Sequence, residues 1–133
     1  IESGYMIAHV TATALASENK TLAHPASIDS LPTSGGQEDH VSMAPWAGLK
    51  LLSIQNNLSN ILAIELMVAG AANKHISYDL RSGKGTAPVI KFLNKNCSYS
   101  DGDRYLSPEI KKVSDSILSG YILNIVLKNL TLE

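Results

Sequence analysis

From Ser42 to about Asn73, apolar residues recur every three or four positions along two tracks, Leu51, Ile54, Leu58, Ile61 and Val68 on one and Leu52, Leu62, Leu66 and Ala69 on the other. This is the period of a helix, and the double track predicts a long one with two apolar faces, the kind that occupies the centre of a bundle and needs neighbours on several sides. Pro45 fits near its start, where first-turn amides lack intrahelical acceptors. Glu65 interrupts the run Ile61-Leu62-Ala63-Ile64-Glu65-Leu66 and is expected to pair with a neighbouring helix or to lie at a bundle end.

Upstream, the small and apolar residues from Tyr5 to Ala16, with alanines at 8, 12, 14 and 16, predict an early helix reaching to the first dense polar group, Ser17-Glu18-Asn19-Lys20. The stretch from His24 to Gly36 changes character to Pro25, Ser27, Asp29, Ser30, Pro32, Thr33, Ser34 and paired glycines, which is turn chemistry. Ordered loops of about a dozen residues are more often functional than idle. Further on, Asp79-Leu80-Arg81-Ser82-Gly83-Lys84-Gly85-Thr86 lacks both a preceding strand and the spaced first glycine of a phosphate loop, so it reads as a connection between helices. A short helix is expected from Pro88 to Asn94. A final one starts at Ser107-Pro108-Glu109, with Ser as cap and Pro at the first helical position, and runs through Val113, Ile117, Leu118, Tyr121 and Ile125. Strand signals are weak throughout. The expected fold is all-α, one domain over residues 1–133 forming an extended helical bundle with one long central helix.

Composition adds boundaries to this picture. The 133 residues are 44% hydrophobic with a formal charge of −1, enough for one core and without the basic stripe that nucleic acid or an anionic membrane surface requires. The single cysteine, Cys97, excludes an internal disulfide and a multi-cysteine metal cluster, fits a reducing cytoplasmic compartment, and reads as a small hydrophobe rather than a reactive thiol. No apolar run approaches the roughly 18 residues that span a bilayer, and the N-terminus lacks the plan of a signal peptide. The chain starts at Ile1 rather than Met and closes on Leu132-Glu133, which suggests a piece of a longer protein with residues 131–133 partly vector-derived.

The chemistry concentrates in Ser34-Gly35-Gly36-Gln37-Glu38-Asp39-His40-Val41-Ser42-Met43. As a helix start, Ser34 with Gln37 three residues on matches a capping box, and Glu38 and Asp39 suit the positive end of a helix dipole. As a metal site, Glu38, Asp39 and His40 are adjacent rather than at helical spacing, and no recognised ligand spacing joins them to His9, His24 or His75, so no metal is expected. As part of an active site, a carboxylate on a glycine-flanked loop at the mouth of a bundle is plausible without being specific. Spacing alone leaves capping ahead.

The residues themselves say more. Ser17-Glu18-Asn19-Lys20-Thr21-Leu22-Ala23-His24-Pro25-Ala26-Ser27, Ile28-Asp29-Ser30-Leu31-Pro32-Thr33-Ser34, Gln37-Glu38-Asp39-His40-Val41-Ser42-Met43, Leu62-Ala63-Ile64-Glu65-Leu66 and Asp103-Arg104-Tyr105-Leu106-Ser107-Pro108-Glu109-Ile110 together resemble the C-terminal part of the histidine ammonia-lyases, within the aromatic amino acid ammonia-lyase family and its fumarase-like superfamily. The resemblance covers nearly the whole chain. Gly35-Gly36 departs from it, since family members usually carry Ala-Asn there.

The resemblance implies an all-helical, homotetrameric, cytoplasmic enzyme that eliminates ammonia from L-histidine to give trans-urocanate in histidine degradation. Its electrophile would be a methylidene-imidazolone group made from an internal Ala-Ser-Gly triplet, which is absent from this chain. The chain would therefore be roughly the last quarter of the enzyme, inactive alone and prone to self-association through the Ile54 to Val68 region. Carried onto this sequence, Glu38 is the catalytic and substrate-binding carboxylate, Gln37 a substrate-binding neighbour and Asp39 a supporting residue behind them, with His40 and Ser42 structural. Relatives acting on phenylalanine or tyrosine usually have Gln at the Glu38 position. A relative with another aromatic substrate, an aminomutase, and a stand-alone helical oligomerisation module remain the alternatives.

Overall fold

A computed structural model describes residues 2–76, 80–100, 102–128 and 130. Asp79, from the glycine-rich connection, and the Leu132-Glu133 tail lie outside these described residues. The chain order is α1 (Met6–Leu22), two 3-10 turns (Ala26–Ile28 and Ser34–Gly36), α2 (Ala44–Asn73), α3 (Thr86–Asn96), α4 (Ser107–Leu118) and α5 (Tyr121–Leu127). Among the described residues there is no strand, only one isolated antiparallel bridge between Thr33 and Glu38. The fold is all-α around one long helix, as the periodicity predicts.

α2 has 30 residues, about 45 Å at 1.5 Å per residue, and α1, α3 and α4 all pack on it. Pro45 stands in its first turn, and its first amide, that of Ala44, donates to Ser42 Oγ at 3.3 Å. α1 runs antiparallel to it: Asn57 of α2 donates to Glu18 and Asn19 near the end of α1, and Lys50, further back on α2, reaches the carbonyl of His24. That clasp corrects the expected end of the first helix. The polar group Ser17 to Lys20 does not stop it, because two of its side chains have partners on α2.

The buried stripe of α2 also differs from the two predicted tracks. Ser59, Ala63, Met67 and Gly70 face inward, while Leu51, Leu52, Leu58, Leu62 and Val68 are exposed. Small residues let the neighbouring helices approach closely. Ser59 and Ser114 of α4 meet hydroxyl to hydroxyl at 2.8 Å, which satisfies both buried groups. Around them Ala63, Met67, Leu93, Cys97 and Val113 form the core. Glu65 is exposed with no ion-pair partner among the described residues, so neither a paired carboxylate nor a bundle-end position describes it within this chain.

Cys97 closes α3 and lies in that core, where burial first, and Glu109 second, push its thiol up from the ordinary value. It behaves as the small hydrophobe expected of it. The Tyr99 hydroxyl beside it is shielded from solvent and has no hydrogen-bond partner among the described residues, and burial raises this phenol too. Gly70 of α2 lies directly against that hydroxyl.

The last predicted helix is two. Gly120 adopts φ 73°, a left-handed conformation that costs glycine little, and the chain turns there so that Tyr121 of α5 meets Phe92 of α3 with ring centroids 5.5 Å apart. The period through Val113, Ile117, Tyr121 and Ile125 therefore spans a break. Ser107 does not cap α4. The cap position is Leu106, without a side-chain bond, and Ser107 and Pro108 are already helical.

One tie joins distant parts of the sequence. The Asp103 carboxylate accepts the amides of Ser3 and Gly4 at 2.8–3.0 Å and the Ser3 hydroxyl at 2.9 Å, just ahead of α1. Next to it Arg104 pairs with Glu109 at 3.2 Å and donates to the Tyr5 hydroxyl at 3.1 Å. The Ser3 amide, then the Ser3 hydroxyl and the Gly4 amide, lower the Asp103 pKa below its ordinary 3.8. A depressed folded pKa gives stability that is whole above the unfolded value and fades as pH falls through the folded one. We expect the gap between the urea midpoints of the parent chain and Asp103→Asn to be largest above about pH 5 and to shrink as the pH falls below the ordinary carboxylate value; a gap that stays constant with pH would refute this role for Asp103.

Candidate functional site

Residues 24–43 form a projecting loop between α1 and α2. Its first limb is fastened where Lys50 holds the His24 carbonyl and where Ala26 is buried against α2. Ser30 and Val41, both half-buried, face each other at the base: the Val41 amide donates to Ser30 Oγ at 2.7 Å, and the same hydroxyl donates to the Val41 carbonyl at 3.1 Å. Three residues further out on each limb, Thr33 and Glu38 exchange backbone bonds, 2.9 Å from the Thr33 amide and 3.4 Å from that of Glu38.

The tip reverses through three successive positive φ values, 53° at Ser34, 67° at Gly35 and 90° at Gly36. Such a run cannot open an α-helix, so the capping-box expectation is wrong. The long helix begins at Ala44, and Gln37 ends a short 3-10 turn by donating its amide to the Ser34 carbonyl at 3.4 Å. The paired glycines remove the steric penalty at two of the three positions and leave it only at Ser34. Their use is conformational, at a turn that sets the direction of the next two residues.

Those residues are Gln37 and Glu38. Every residue from Leu31 to His40 is exposed, and the side chains of Gln37, Glu38 and Asp39 make no hydrogen bond among the described residues. The structure thus gathers Gln37, Glu38 and Asp39 at one tip but does not bring His9, His24 or His75 to them. Among the described residues no group of three His, Cys, Asp or Glu is placed to hold a metal ion. A shallow groove of about 320 Å³ at the base is lined by Asp29, His40, Val41 and Ser42. A larger one, about 860 Å³ between α1, α2 and α4, includes no residue of the loop. The tip is an open surface rather than an enclosed pocket. An exposed carboxylate there can accept a hydrogen bond from a cationic or N–H-bearing ligand.

Sequence reasoning missed the residues that hold the loop. Lys50 could have been found, as a lone cation in the apolar run Leu49-Lys50-Leu51-Leu52. Ser30 had no such signal, being one turn-forming residue among many. No helix among the described residues is long and apolar enough to cross a membrane.

Comparison with known proteins agrees with this architecture. A family described as aromatic amino acid lyase matches residues 1–95. Histidine ammonia-lyase from Burkholderia mallei is 52% identical over 118 residues, 86% of this chain and 22% of the relative. The enzyme of that name from Aromatoleum aromaticum is 48% identical over 124 residues, 90% of this chain and 23% of the relative. The chain therefore spans between a fifth and a quarter of the length of these relatives. In three dimensions it matches histidine ammonia-lyase from Trypanosoma cruzi with a TM-score of 0.86 and 36% identity, over 98% of this chain and 26% of that one. A tyrosine aminomutase from Streptomyces globisporus matches with a TM-score of 0.86 and 29% identity, over 100% of this chain and 25% of that one. With its helical fold and a family match over most of its length, the chain belongs to the aromatic amino acid lyase family.

Proposed function

We propose that the chain is the C-terminal part of a histidine ammonia-lyase, in which Glu38 faces the imidazole of L-histidine while ammonia is eliminated to give trans-urocanate. The observation that carries this is the tip geometry: a carboxylate without a partner among the described residues, presented on a closed and glycine-turned loop, in a chain 52% identical to a histidine ammonia-lyase. Glu38 accepts the imidazole N–H and favours the charged ring, Gln37 binds beside it, and Asp39 supports them from behind. The methylidene-imidazolone group of the family has no Ala-Ser-Gly precursor in this chain, and the described residues hold no part of it. What the chain contributes is binding and orientation, and alone it is inactive. The exposed apolar ridge of α2, Leu51 to Val68, supports a place in the core of a cytoplasmic homotetramer.

The equal structural match to a tyrosine aminomutase supports a second reading, a relative acting on another aromatic amino acid. A full-length lyase carrying this segment, assayed with L-histidine, L-phenylalanine and L-tyrosine, separates the two. We expect ammonia and urocanate from histidine and little product from the others. Turnover confined to tyrosine, or a β-amino acid product, establishes the second reading instead, and no turnover of any of the three supports a non-catalytic oligomerisation module.

A further inference from the structure

We propose that Ser30 is the positioning residue for Glu38, an inference that rests on the reading of Glu38 as the imidazole-binding group. The tip from Thr33 to Glu38 is closed by its own backbone and keeps its shape by itself, but its direction relative to α2 depends on what lies beneath it. A regular ladder cannot supply this. Pro32 has no amide to give, and among the described residues no backbone bond joins Leu31 to His40.

The first limb is fixed to α2 through Lys50 and Ala26, and the second enters α2 at Ala44. Among the described residues, only the Ser30 hydroxyl, acting as donor and acceptor at once, hydrogen-bonds the two limbs together below the tip, and it does so at residue 41, three positions from Glu38. Removing that one oxygen frees about ten residues to swing as a unit about two single-chain connections. Ser30 touches no substrate in this arrangement. It acts through the carboxylate it aims.

The test uses a full-length lyase carrying this segment, with Ser30→Ala and Ser30→Thr made in the parent and in a Glu38→Gln background. Ser30→Ala is expected to lower kcat on L-histidine by about tenfold, the scale of a modest misplacement of a binding group. Ser30→Thr, which keeps the hydroxyl, should stay near the parent. In the Glu38→Gln background Ser30→Ala should add little further loss, because the charge it aims is gone. An equal fold-loss in both backgrounds, or near-normal turnover of Ser30→Ala in a parent that Glu38→Gln cripples, overturns the positioning role and leaves the reading of Glu38 standing. Near-normal turnover of Glu38→Gln itself overturns both. If Ser30→Ala does not assemble, Ser30→Cys, whose thiol is a weak acceptor, takes its place in the same comparison.

Discussion

Glu38→Gln in a full-length lyase carrying this segment is expected to slow turnover of L-histidine by roughly ten- to a hundredfold, the equivalent of the about 1.5–3 kcal/mol that a hydrogen bond to a charged group contributes. The change keeps the shape of the side chain and one carbonyl acceptor, so the loop has no reason to rearrange. Its closure is made by backbone groups of Thr33 and Glu38 and by Ser30, none of which the substitution alters. What goes is the charge, and with it the preference for imidazolium. The loss should be specific to histidine. A phenyl ring offers the carboxylate no donor, so a trace activity on phenylalanine should hold or rise, since an amide is cheaper than a carboxylate to bury against it. The measurement is urocanate and cinnamate formation by one preparation of each variant, and an unchanged histidine rate would remove Glu38 from its role.

The second large effect lies in the core and concerns stability alone. Gly70→Ala should destabilise the chain by about 1–3 kcal/mol, because the new methyl would overlap the Tyr99 hydroxyl and crowd Leu93. Lys74 donates to the Tyr99 carbonyl at 3.1 Å and lies 4.9 Å from its ring, so moving the ring away gives up that contact as well as its burial. The hydroxyl itself contributes little, being buried without a partner among the described residues, beside a thiol that accepts weakly. Tyr99→Phe alone should therefore be neutral or slightly stabilising, and combined with Gly70→Ala it should recover much of the loss. Urea denaturation of the four chains closes this cycle. Losses that simply add would mean the clash is not where the geometry puts it.

Much of the fold was legible because helices announce themselves by period. The starts of α1, α2 and α4 fall within two residues of expectation. Two failures have a shared cause, which is that periodicity reports which residues are apolar and not which are covered. Leu51, Leu52, Leu58, Leu62 and Val68 of α2 are exposed within this chain, and the stripe that packs sets Ile64 and Met67 among the small Ser59, Ala63 and Gly70, which carry little hydrophobic signal. The break at Gly120 was hidden by an i+4 run that continues across it. At the site, resemblance named Glu38, but the bonds that aim it were illegible. They depend on Ser30 meeting Val41 across the loop, a pairing fixed by the turn at residues 34–36 rather than by any local pattern.

The Asp103 clasp bears on the order in which the molecule comes together during synthesis. Its two ends are 100 residues apart, so the amides of Ser3 and Gly4 leave the ribosome long before the carboxylate that receives them exists. At ordinary elongation rates the wait is on the order of 5–20 s, far longer than a helix needs to form. α1 can dock on α2 in that interval through Asn57 and Lys50 at its far end, while its first turn, with Met6, Ile7 and Val10 facing outward, stays unfastened until Asp103 is made.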